Sequence, residues 1–296
     1  MYVLSVNNER KLHQTVQEHG FEHALDYLKK TVRQGIRLTK QQPEGYEGAG
    51  NSRIGGDPDL PADMEWPLDE DGTPMTFLAQ LRLSEIAVHD ASSLLPKDGM
   101  LVFFVGIDEP AYHIEHRVLY LTENQLQAAE HRQSPENTSL EDEFTGYSVT
   151  ARASIEPPNY GYTDSEQLED DEHDYDQYEE LAFDLTEHSS SDLAVMFGYP
   201  ATQHGDCEYE AALALLTGEN YNYSISDALG RIKKHLNGDQ AAAEKEVGDT
   251  LLLLALDSDH DVGFCWWDAG ELQFYIRKED LVAGNFTRTY CSLYSS

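Results

Sequence analysis

The chain has 296 residues with 20 Lys and Arg against 55 Asp and Glu, a formal net charge of −35. Its length suits one large domain or two of ordinary size, and 40% hydrophobic with 10% aromatic residues exclude wholesale disorder. The shortage of cationic side chains disfavours nucleic acid as a partner. The longest apolar run, residues 251–256, falls far short of the roughly 20 residues that cross a bilayer, so no membrane partner is expected.

Across residues 9–40, Leu12, Val16, Ala24, Leu25, Leu28 and Val32 recur at helical spacing with breaks at Gly20 and Gly35, which predicts a pair of amphipathic helices. Lys29, Lys30, Arg33, Arg37 and Lys40 make the second of these basic. That patch reads as a solvated face, or as one that folds back on an acidic segment further along. The first twenty residues lack the apolar stretch of a secretion signal. Cys207, Cys265 and Cys291 are odd in number and lack metal-type spacing; they read as reduced core thiols, and a cytoplasmic location is expected.

The stretch "SRIGGDPDLPADMEWP", residues 52–67, pairs two glycines as phosphate loops do. It has no Gly-Lys-Ser/Thr, however, and Asp57 and Asp59 would repel a phosphate while Pro58 and Pro61 remove amide donors. It reads as turn-forming backbone. "TFLAQLRLSEI" and "GMLVFFVGI" follow as strands around the turn "LLPKDG", then "HRVLYLT" as a third. Thr122 and Gln125 predict a capping box opening a short helix over "ENQLQAAEHR".

Residues 134–192 carry eighteen Asp and Glu against one Arg, so about half the net charge lies in a fifth of the chain. The core of this segment, "SEQLEDDEHDYDQYEE", reads as a solvated loop or frayed helix, with an acidic docking tether as the alternative. Beyond it, "SDLAVMFGYP", "EYEAALALLTG" and "SDALGRIKKHLNG" predict helices. "DTLLLLALDSD", "GFCWW" and "ELQFYIRKED" predict strands.

The halves echo each other: "FLAQLRLSE" before "LPKDGMLVFFVGID" is matched by "LLLALDSD" before "WDAGELQFYIRKED". Gln80 to Gly99 spans 19 positions and Ala255 to Gly270 spans 15, so any internal duplication is degenerate. The expected architecture is α+β with mainly antiparallel sheet and peripheral helices. Residues 1–50 would form an N-terminal helical segment packed on a domain of residues 51–296, with the acidic insertion near 134–192.

Candidate chemistry is sparse. Asp257, Asp259 and Asp261 alternate and Asp268 stands twelfth, as oxygen ligands of a calcium loop would. Val262 occupies the position that needs glycine, so a polar hairpin turn competes with calcium binding. His113 and His116 fall on opposite faces of a strand, and no nucleophile signature is present.

Five of these stretches in order, "SRIGGDPDLPADMEWP", "TFLAQLRLSE", "LPKDGMLVFF", "GYPATQHGD" and "LLLLALDSD" with "WWDAGELQFYIRKEDL", resemble the bacterial YwqG-like proteins, a family without established activity. The resemblance implies a single α+β architecture in a bacterial cytoplasmic protein, and an immunity-type role by association with toxin systems. This chain departs from it at Ala255, where the family tends to show Gln, and at Trp267, where it tends to show Gly.

Three functions remain open. One is a non-enzymatic binding or regulatory protein whose acidic surface masks a basic partner. Another is a small polar ligand site, such as a carbohydrate or hydrolase-like pocket, between the halves at Trp66, Gln80, Gln203, Trp266 and Asp268. The last is calcium binding at Asp257, Asp259, Asp261 and Asp268; no other cofactor is expected.

Overall fold

In the computed structural model, residues 4–140 and 142–295 are described; residues 1–3, Glu141 of the acidic segment and Ser296 lie outside the described residues. Helix α1 (Val6–Glu18) opens on Ser5, whose Oγ accepts from the Asn8 amide, and buries Leu12 and Val16. A short 3-10 turn (Glu22–Ala24) leads into α2 (Leu25–Thr31). The expected second helix ends there: residues beyond Val32 form strand β1 (Arg33–Pro43), with Ile36 and Leu38 buried and Arg37 between them. Leu28, Val32 and Ile36 keep a helical spacing across the junction, so periodicity alone runs the helix on.

Next come β2 (Arg53–Ile54), β3 (Asp59–Pro61), β4 (Thr76–Arg82), α3 (Leu83–Ile86), β5 (Met100–Val105) and β6 (His116–Leu121). Helix α4 (Glu123–Gln127) carries the predicted Thr122/Gln125 capping box. It ends early, and β7 (Ala129–His131) pairs with β3. Strand β8 (Tyr147–Glu156), α5 (Ser165–Leu168) and α6 (Tyr175–Thr186) occupy the acidic segment. Helix α6 buries Tyr178, Leu181 and Leu185 despite the surrounding charge. "SDLAVMF", expected as helix, is strand β9 (Asp192–Met196), buried on both faces; such a short apolar run has no period to distinguish the two. Then follow α7 (Cys207–Thr217), α8 (Ile225–His235), α9 (Gln240–Gly248), β10 (Thr250–Asp257), β11 (Glu271–Arg277), α10 (Lys278–Val282) and β12 (Thr289–Tyr294).

The fold is α+β. Ten strands form one antiparallel sheet in the order β12-β11-β10-β9-β1-β8-β2-β4-β5-β6. Its two ends meet: Ile114 N donates to Cys291 O (3.0 Å), Leu293 N donates to Ala111 O (2.7 Å), and His116 Nε2 lies 2.8 Å from Thr289 Oγ1. The enclosed face holds the main core, from Leu38 and Leu101 to Phe274 and Phe286.

The echo between the halves is realised strand by strand. Both β4 and β10 carry a bulge, between Phe77 and Ala79 and between Leu252 and Leu254, which matches Gln80 with Ala255, Phe103 with Phe274 and Gly99 with Gly270. A Cβ at either glycine would press on the carbonyl of the next strand, 2.4 Å from Leu121 O or 2.1 Å from Tyr294 O. Matched residues of the two halves meet: the Phe103 and Phe274 rings stand 5.2 Å apart, and His116 reaches Thr289. The first strand of each half is exchanged, β1 lying against β9 and β8 against β2. The expected N-terminal helical segment therefore supplies a central strand of the sheet.

Candidate functional site

The outer faces of the two halves differ. On β5 the outward Met100, Val102 and Phe104 are sealed by Leu60, Met75 and Leu126, with Trp66 packed alongside. The matching positions on β11 are Glu271, Gln273 and Tyr275, all buried. Buried polar groups need partners, and these find them in one another and in the loop before α7. Tyr275 Oη donates to Gln273 Oε1 (2.6 Å), and Gln273 Nε2 donates to Glu271 Oε1 (2.7 Å) and Ala201 O (2.8 Å). Ala201 N donates in turn to Glu271 Oε1 (2.9 Å). The loop is thus fixed to the sheet through its backbone.

Helix α7 is anchored at its first turn. Glu208 accepts from Tyr162 Oη (2.5 Å) and pairs with Arg33 (2.9 Å), whose guanidinium lies 3.6 Å from the centre of the Tyr199 ring. The thiol of Cys207 is pushed up to about 12 by burial and by the Glu208 charge, which holds it protonated and unreactive near neutral pH.

Between this loop, α7, the 221–223 segment and β12 lies a cavity of about 250 Å³, lined in part by Tyr112, Gln203, Asp206, Glu210, Tyr221 and Tyr223, with Gln273 and Ser292 also on its wall. A second, more open concavity shares His204, Asp206, Tyr221 and Tyr223 with it. Among the described residues the lining of the 250 Å³ cavity includes two carboxylates and no Lys or Arg. Glu210 accepts from Tyr290 Oη (2.5 Å) and is raised by burial. The Tyr221 hydroxyl, raised by burial and by Asp206, is buried without a hydrogen bond of normal geometry. A larger open groove between α1 and α2, about 950 Å³, is lined by the mixed charges Glu9, Arg10, Glu22 and Lys29.

The five residues expected to share a ligand pocket do not converge. Trp66 is half-buried, donating Nε1 to Met75 O (2.9 Å) and packing edge-on to Phe104. Gln80 is fully buried and its amide is committed: Oε1 accepts from Asp59 N (2.7 Å), and Nε2 donates to Asp59 Oδ2 (2.7 Å) and Asn51 O (2.8 Å). That network serves Arg53, buried beside Asp59. Trp266 is in the main core, Asp268 is exposed with its amide on Ser295 Oγ (3.2 Å), and Gln203 alone of the five lines the cavity.

The four aspartates expected as calcium ligands also separate. Asp259 and Asp261 hold the Lys40 ammonium at 2.8 and 2.6 Å, so an internal cation stands there. Asp259 Oδ1 further accepts from the amides of Asp261 and Val262, as a polar turn requires. Asp257 faces Glu271 across β10 and β11. The basic residues Arg33, Arg37 and Lys40 are spent on internal carboxylates, with Glu156 and Asp192 of the acidic segment holding Arg37. Of the cysteines only Cys291 is fully buried, and Cys265 is exposed.

Asp206 and Glu210 carried a signal that sequence reasoning passed over: they stand four apart, Asp206 just before the predicted helix "EYEAALALLTG" and Glu210 in its first turn, so a helix begun at Asp206 places them on one side. Tyr221 and Tyr223 gave no comparable sign, because only the fold brings them opposite.

No curated protein matches the chain in sequence. Residues 52–294, from β2 through β12, match the model of a domain of unknown function, DUF1963. The chain belongs to that family.

Proposed function

We propose that the chain is a binding protein whose Tyr112, Gln203, Asp206, Glu210, Tyr221 and Tyr223 cavity takes a cationic group, an ammonium or guanidinium, presented by a basic protein partner or a small amine. The observation that carries this reading is the lining itself: two carboxylates and a set of tyrosines around about 250 Å³, with His204 but no Lys or Arg among the described lining residues. Aromatic faces attract cations, and a partly buried carboxylate forms charge-assisted hydrogen bonds with them. The net charge of −35 would steer such a ligand inward. The resemblance to YwqG-like proteins, with its immunity-type role, suits a basic protein as the bearer of that group.

The second reading is a neutral polar ligand such as a sugar, which tyrosines also suit. Calorimetric titration with arginine amide, lysine amide and a neutral disaccharide separates the two. The basic amides should bind, more weakly at high salt. Asp206→Asn should weaken them about tenfold, the size expected for losing one charged hydrogen bond. Equal binding of the disaccharide, or amide binding untouched by Asp206→Asn, would overturn the cationic reading.

A further inference from the structure

A different cluster lies where the N-terminal helices meet the acidic segment. His23, in the 3-10 turn between α1 and α2, faces Asp170 and His173 in the loop between α5 and α6. His23 Nδ1 stands 3.4 Å from Asp170 Oδ2, and His173 Nδ1 stands 2.9 Å from Asp170 Oδ1. One ligand atom from each of the three residues lies within 4.8 Å of the others. Both rings pack on the buried Phe21, with centroids 5.4 and 4.6 Å from it, so they sit on a firm apolar floor.

Proton placement sharpens the picture. His23 Nε2 lies 2.9 Å from the Leu168 carbonyl. A carbonyl only accepts, so the proton of a neutral His23 is on Nε2 and its Nδ1 lone pair points at a carboxylate. An imidazole tied to a backbone carbonyl through its far nitrogen is the outer-shell arrangement found behind metal-binding histidines. Asp170 is also oriented from behind, its Oδ1 accepting from the amides of Glu172 (2.8 Å) and His173 (2.9 Å).

We propose that His23, Asp170 and His173 form a binding site for a divalent transition-metal ion of the zinc class. Metal–ligand bonds of 2.0–2.1 Å in tetrahedral geometry set neighbouring ligand atoms about 3.3 Å apart, against 3.4 and 2.9 Å for the two histidine–Asp170 pairs and no more than 4.8 Å for the third pair. Two imidazoles and one carboxylate select zinc, cobalt or nickel over calcium and magnesium, which take oxygen ligands. His23 and Asp170 are exposed, which leaves a side for water as a further ligand. The ion would join residue 23 to residues 170 and 173, clasping the acidic segment to the N-terminal helices.

The test uses the full chain stripped by a chelator. Zinc chloride is titrated calorimetrically, thermal unfolding is followed with and without zinc, and cobalt(II) is added to look for the visible absorption of tetrahedral coordination. One equivalent should bind, the melting temperature should rise by several degrees and fall back on chelation, and calcium should do neither. His173→Ala and His23→Gln should each lower affinity at least tenfold. Asp170→Asn, which keeps the side-chain shape, carries the test should a histidine variant fail to fold. Absence of binding, equal binding by the folded variants, or equal binding of calcium would overturn the proposal.

Discussion

Asp257 and Glu271 are opposed across two strands with Arg37 nearby. Part of Asp257 reaches the surface, yet its carboxyl is enclosed by protein; burial, and then the Glu271 charge, raise it well above the usual range. Folding therefore retains a proton that the unfolded chain has lost. The contribution is full below the ordinary carboxylate value of about 4 and is lost as pH rises through the raised value. Asp257→Asn, which cannot ionise, should match the wild type in urea unfolding near pH 4 and exceed it increasingly toward pH 8; a constant difference would refute this. None of it was legible in the residues, because alternating aspartates in "DSDHD" look alike. The fold makes one a buried acid, one a lysine partner with its neighbour, and leaves Asp268 exposed.

At the scale of elements, apolar β-rich runs bounded by turn residues and helices with caps were legible, as "GMLVFFV" after "LLPKDG" and the Thr122 box show. β1 and β9 were not, since their assignment depends on neighbours more than a hundred residues away. The connection from β10 to β11 shows how local rules yield to the sheet. Trp267 and Ala269 both adopt left-handed backbone, at φ 54° and 59°, where the resemblance led one to expect glycine at position 267. A non-glycine residue there costs roughly 1–2 kcal/mol, partly offset by the entropy glycine brings to the unfolded chain. The exposed Ala269→Gly should thus stabilise the protein by about 0.5–1 kcal/mol, seen as a higher denaturant midpoint at unchanged slope. A lower midpoint would show that backbone strain is not relieved at this position.

Across the whole molecule, the echo between the halves was visible in sequence as two strand pairs with a shared glycine, but the exchange of β1 and β8 was not, because pairing partners leave no mark on composition. The exchange predicts that a chain beginning at residue 51 loses cooperative unfolding, since both β8 and β9 then expose an unpaired edge in mid-sheet. Circular dichroism melting of that shortened chain checks it, and a sharp two-state transition would count against an integral N-terminal strand. The candidate cavity was only partly legible for a related reason: the sequence offered polar and aromatic residues, while the difference between a half with an apolar outer face and a half with a buried polar one emerges only when Met100, Val102 and Phe104 are set beside Glu271, Gln273 and Tyr275. The exchange also sets the timetable of synthesis. While the ribosome extends the first 146 residues, β1 has neither of its sheet neighbours, which begin at Tyr147 and Asp192. The earliest third of the polypeptide must wait for the middle third before its central strand gains both neighbours, and chaperones that shield exposed strand edges have their longest opportunity during that interval.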